Sequence, residues 1–153
     1  MGGTLVCDVT DPVEGRSAAG FAAALGARLQ LRVVLASVVE GHPAALESAT
    51  GRQRQSGAAR ALAATARELP FEVETRVALG DRAEALARLA AEEGADLIVL
   101  GSRAVGLGGR NLRSRLVRDL EAETPVPVLV APPATRRRSE RRLSVTGEAA
   151  SSR

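Results

Sequence analysis

Four glycines, Gly101, Gly106, Gly108 and Gly109, lie within nine residues directly after the apolar run Ala95-Asp96-Leu97-Ile98-Val99-Leu100. Glycine lets phosphate oxygens come close to backbone N–H groups, because a Cβ either blocks the approach or forbids the required φ. Between Leu97 and Val117 stand Arg103, Arg110, Arg113 and Arg115 and no acidic residue. They flank the expected start of a helix, where partial positive charge also gathers. This combination predicts a segment that draws an anion onto guanidinium forks; the alternative is a basic, solvated helix face. No Walker-type Gly-Lys-Ser/Thr follows, and Ser102 has neither a His nor a Cys beside it to activate its hydroxyl. Cys7 and His42 are single, so one chain can assemble neither a disulfide framework nor a Cys/His metal cluster. No catalytic constellation is expected, and at most a very slow ATPase.

A second group, Asp8, Thr10 and Asp11, closes the first apolar run. Side chains alternate along a strand, so Asp8 shares a face with Thr10 and offers a carboxylate one pleat deeper, whereas Asp11 would need a bend to reach the same place. Asp8 reads either as a ligand contact or as a partly hydrated cleft residue.

These residues need a frame, and alternating periodicities supply one. Thr4 to Val9, Leu31 to Val39, Phe71 to Val77, Ala95 to Leu100 and Pro127 to Val130 read as strands. Helical spacing covers Gly15 to Leu29, Ala58 to Leu69, a segment starting at Asp81 with Glu84 in a capping-box arrangement and ending at Gly94, and Arg110 to Glu123. Glu40 to Ser56, broken by Gly41, Pro43 and Gly51, reads as a mobile loop. Phe71 to Val77 alternates polar and apolar residues, which predicts one solvated side or an edge location. Strands alternating with helices predict a parallel sheet, with ligands bound beyond the carboxyl ends of strands where their order switches. The turns after the first and fourth strands should meet there.

At 153 residues the chain suits one domain, expected over residues 1–133, followed by a disordered Arg/Ser-rich tail at 134–153. All 21 basic residues are Arg, and six of them against two Glu fall in the tail, so residues 1–133 carry 15 Arg against 16 acidic residues. A near-neutral body with two Phe and no Trp or Tyr argues against nucleic-acid binding by the fold, leaving only weak, salt-dependent binding by the tail. The apolar start is too short for a membrane span or secretory segment, and a cytoplasmic, reducing compartment fits. Arg141-Arg142-Leu143-Ser144-Val145 resembles a basophilic Ser/Thr kinase site at Ser144; the favoured alternative is an ordinary disordered basic tail.

Val77-Ala-Leu-Gly80-Asp81 through Glu92-Glu-Gly94-Ala-Asp96-Leu-Ile-Val-Leu-Gly101-Ser-Arg103, with Pro125-Val-Pro127-Val-Leu-Val130, resembles the second half of universal stress protein domains; the likeness covers about residues 3 to 132. The resemblance implies a five-stranded, doubly wound, Rossmann-like α/β sandwich of order 3-2-1-4-5, akin to adenine-nucleotide hydrolases. It also implies a homodimer through the last strand, at Val128, Leu129 and Val130, and in many members ATP, with Mg²⁺ when bound. The family's glycine pattern maps onto Gly101, Ala104 and Ser114, with Arg115 at the Ser/Thr position, so two of three glycines are replaced. The Asp that contacts the nucleoside maps onto Thr10, flanked by Asp8. The implied nucleotide positions are therefore Asp8 and Thr10 on one side and Gly101, Ser102, Ala104, Ser114 and Arg115 on the other; Val9, Val38, Arg103 and Leu116 complete the set. The alternative is a nucleotide-free, dimeric interaction module of the same family.

Overall fold

Apolar segments too short to bury themselves singly pair into one sheet. Strands β1 (Thr4–Asp8), β2 (Arg32–Val39), β3 (Glu74–Leu79), β4 (Leu97–Leu100) and β5 (Val128–Val130) are all parallel, in spatial order β3-β2-β1-β4-β5. Helices α1 (Pro12–Leu29), α2 (Pro43–Glu47), α3 (Ala49–Glu68), α4 (Arg82–Glu92) and α5 (Leu112–Glu123) connect them. This computed structural model describes residues 2–101 and 112–133, with only the backbone for 112–114. Ser102, Arg103, Ala104 and the other residues of 102–111 lie outside the described residues, as does the expected tail with Ser144.

The period-two alternation of the strands sorts the core into two layers. Leu5 and Cys7 of β1, with Val33, Leu35 and Val99, pack on α1 through Ala18, Ala19 and Ala22 and on α3 through Leu62. Val6, Val34, Ala36, Ile98 and Leu100 point to the other face and meet Leu86, Leu89 and Leu120 of α4 and α5. Asp8 shares the face of Val6, and this decides which helix its carboxylate meets. Cys7 is fully buried, and desolvation, with Asp8 adding to it, pushes its thiol well above the ordinary range.

Local signals set the helix starts. Pro12 occupies the first turn of α1 behind the cap Asp11, and Asp81 caps α4 by accepting from the Glu84 N–H at 3.2 Å. The expected loop at Glu40 to Ser56 is instead helical: α2 opens on Pro43, and α3 begins at Ala49, where the Ser48 hydroxyl accepts from the Gly51 N–H at 3.1 Å. Pro43 starts a helix here rather than breaking one. Gly51 serves a close approach, since a Cβ there would lie 2.2 Å from the Ala45 carbonyl oxygen. Hydrophobic spacing fails in this stretch because Gly51 and Leu62 are the buried residues of α3.

The third strand is displaced from expectation. β3 runs Glu74–Leu79 in register with Val34 to Val39, leaving Phe71 outside it and 39% exposed. Its pairing with β2, rather than its own alternation, sets its ends; the edge location holds.

Candidate functional site

The order switches at β1, which has β2 on one side and β4 on the other. At the carboxyl ends of these strands two hollows open. The first, about 280 Å³, lies beyond β1 and β4 and is lined by Asp8, Gly101, Asp81 and Arg82 from the strand and α4 ends, with Arg115 and Leu116 of α5. The second, about 460 Å³, lies beyond β1 and β2, with Val9, Thr10 and Val38 at its sheet side and Ala58, Ala61 and Thr65 of α3 opposite. Gly15 of α1 lines both. A Cβ at Gly15 would come 2.8 Å from the Val9 carbonyl oxygen, so glycine lets the first turn of α1 lie directly on the end of β1.

The sequence-derived positions thus divide between the hollows. Asp8, Gly101, Arg115 and Leu116 meet in the first; Val9, Thr10 and Val38 meet in the second. Ser114 lies in the first turn of α5.

Asp8 is not a spare carboxylate. It is 3% exposed, and its Oδ1 accepts from the Thr10 N–H at 3.0 Å and from the Thr10 hydroxyl. That hydroxyl in turn accepts from the Val38 N–H at 3.0 Å. Oδ2 accepts from Arg82 Nε at 3.0 Å and Nη2 at 2.6 Å. Thr10 therefore closes a hydrogen-bonded ring between the ends of β1 and β2, and Arg82 neutralises the buried charge from the first turn of α4. Sequence reasoning missed Arg82. The available signal was Asp81, whose cap starts α4 and so puts residue 82 at the carboxyl edge of the sheet, where an inward Asp8 needs a cation.

Electrostatically, the described part of the first hollow is of mixed charge. Its described wall carries the carboxylates Asp8, Asp11, Glu14, Glu40, Asp81 and Asp119 against Arg82 and Arg115. Arg82 is held by Asp8, and the exposed Arg115 faces Asp119 one turn on at 4.0 Å. The second hollow is flanked by Arg16 and Arg54; Arg16 makes an exposed pair with Glu68 at 3.6 Å. Among the described residues no group of three or more His, Cys, Asp or Glu is placed to hold a metal ion. No helix among them is long and apolar enough to cross a membrane.

A parallel sheet wound in both directions, with paired hollows at its switch point, defines a Rossmann-like, doubly wound α/β protein. The family model described as universal stress protein family matches residues 4–132, and the chain belongs to that family. Solved structures agree on the fold. A universal stress protein family member from Burkholderia pseudomallei is 23% identical, with TM-score 0.64, covering 86% of this chain and 96% of its own. The Archaeoglobus fulgidus universal stress protein in complex with dAMP is 15% identical, with TM-score 0.59, covering 85% of this chain and 98% of its own. A universal stress protein in complex with cAMP is 23% identical, with TM-score 0.57, covering 86% of this chain and 98% of its own. No curated protein matches the chain.

Proposed function

We propose that this chain is a non-catalytic regulatory module that binds an adenine nucleotide across the two hollows after β1, β2 and β4. The observation that carries the reading is their junction at Gly15: an apolar-floored recess bounded by Val9, Val38, Ala58 and Ala61 opens beside a polar one that begins at Gly101. That arrangement suits a flat base joined to a charged group. Relatives of the same fold solved with cAMP and dAMP support the ligand class. Thr10 and Val38 would border the nucleoside. The Thr10 hydroxyl is already engaged on both its donor and acceptor sides, so its part is to tie the ends of β1 and β2 together rather than to bond a ribose.

The test is thermal unfolding of the full chain with increasing adenosine, AMP and ATP. A saturable rise in Tm with at least one of them is expected. No rise at millimolar concentration for any of them would overturn the reading.

A second reading, a nucleotide-free dimeric interaction module, is favoured by Ala104 and Ser114 standing at glycine positions of the family pattern. Under it, Ala104→Gly/Ser114→Gly would create nucleotide binding that the native chain lacks.

A further inference from the structure

Of the 20 residues of α3, Gly51 and Leu62 are the buried ones, and most of the helix faces solvent. Arg52, Ser56, Arg60, Ala63 and Arg67 follow at spacings of four, four, three and four, and all are exposed. At 3.6 residues per turn they fall within about 80° of arc and run about 22 Å along the helix. None of the three arginines has an ion-pair or hydrogen-bond partner among the described residues. The helix has no acidic residue before its last, Glu68, which is paired with Arg16. The near-neutral sum for residues 1–133 hides a separation of charge. Helices α1 and α3, packed on one face of the sheet, carry six Arg against Glu14 and Glu68, and the short α2 adds Glu47, a net of +3. Helices α4 and α5, on the other face, carry five Arg against five acidic residues, a net of 0.

We propose that this side of α3 docks on duplex DNA through the phosphate backbone, without regard to base sequence. What the stripe lacks selects the partner as much as its charge does. Among the described residues the exposed large apolar side chains all lie off α3, at Val13, Leu29, Phe71, Leu79, Leu129 and Val130. An interfacial helix holds a membrane by sinking such side chains into it, and a protein interface draws its affinity from buried aromatic and apolar anchors. The outer side of α3 offers neither. Charge by itself gives useful affinity against a polymer with condensed counterions, because each arginine that meets a phosphate releases them. A single strand would call for aromatic side chains to stack its bases, and the chain has two Phe and no Trp or Tyr. A duplex keeps its bases inside and presents phosphates. The small Ser56 and Ala63 leave the guanidinium groups free to meet those phosphates with paired N–H donors. None of these residues lines either hollow, so DNA docking and nucleotide binding can succeed or fail independently.

Fluorescence anisotropy of a labelled, mixed-sequence DNA duplex, titrated with the full chain at stepped salt, tests the docking. Binding is expected at low salt, with log affinity falling linearly against log salt. Arg52→Gln/Arg60→Gln should weaken it about tenfold at low salt and make the slope shallower by about 2. Arg88→Gln/Arg118→Gln removes the same charge from exposed positions of α4 and α5 and should leave affinity and slope close to native. Gln suits a helix as well as Arg does, and a circular dichroism melt checks that both variants fold. No binding at low salt would overturn the proposal. So would native binding in Arg52→Gln/Arg60→Gln, which would put the contact in the Arg-rich tail, and so would equal losses in the two variants, which would reduce the effect to net charge. Tighter binding to phosphatidylglycerol vesicles or to polyglutamate than to the duplex would overturn DNA as the partner.

Discussion

Asp8 and Arg82 show how a single pair links the folding of this chain to its site. Asp8 has a buried carboxylate, while Arg82 keeps 33% of its side chain in solvent. Arg82→Met would leave a buried, uncompensated charge, and the partial exposure tempers the loss to about 2–3 kcal/mol. Urea unfolding at pH 7 measures it, and Asp8→Asn/Arg82→Met should recover much of the loss because the orphaned charge is gone. A single variant as stable as the native chain would mean that the pair is not held as described. Asp8 was legible in the sequence as an inward residue at a strand end. Arg82 was not, since 74 residues separate the two and the Asp81 cap, though it places residue 82 at the edge of the sheet, does not by itself pair that residue with Asp8.

At the scale of elements, the opposite edge of the sheet is fastened by charge. Arg32, opening β2, donates to Glu74 of β3 at 2.6 Å and to Glu93, which follows α4, at 2.7 Å; Arg76 Nε adds a bond to Glu93 at 3.0 Å. The bond from Arg32 is the largest cause holding both Glu74 and Glu93 below the ordinary carboxylate range. Their folded pKa values lie under the unfolded ones, so the contribution is fully present above the ordinary carboxylate range and is lost as pH falls through the lowered values. Arg32→Gln should therefore flatten the loss of unfolding free energy below about pH 4.5, followed by urea titrations stepped from neutral to acid pH. An unchanged acid limb would contradict this. The network is exposed, so its signature is the slope more than the size. Element types were largely legible because the Asp81 cap and the strand runs are local signals, although the Asp11 cap that starts α1 at Pro12, ahead of the expected Gly15, was not read. The α2 and α3 start was not, because its helicity rests on a Ser48 cap and a close approach at Gly51 rather than on an apolar stripe.

For the whole molecule, the open question is what covers the edge at β5. Among the described residues, Leu129 and Val130 are 37% and 38% exposed on a strand paired only to β4. An unpaired apolar edge invites a further strand. We propose a homodimer through Val128, Leu129 and Val130. Light scattering should give a two-chain mass for the native protein and a one-chain mass for Leu129→Arg. A native one-chain mass would refute it.

Order along the chain determined the class of fold: strands alternating with helices admit few arrangements, and right-handed parallel crossovers place loops one and four at the switch point. The resemblance carried by Gly80 to Arg103 and Pro125 to Val130 named the family. Tertiary structure alone decided the character of the site. Asp11 with Glu14, Glu40, Asp81 and Asp119 come from four separate stretches of chain and reach one hollow only when the sheet is wound. The arginine-rich sequence there implies attraction to anions, and among the described residues these carboxylates stand beside Arg82 and Arg115, a neighbourhood set by distance in space and not by position in sequence.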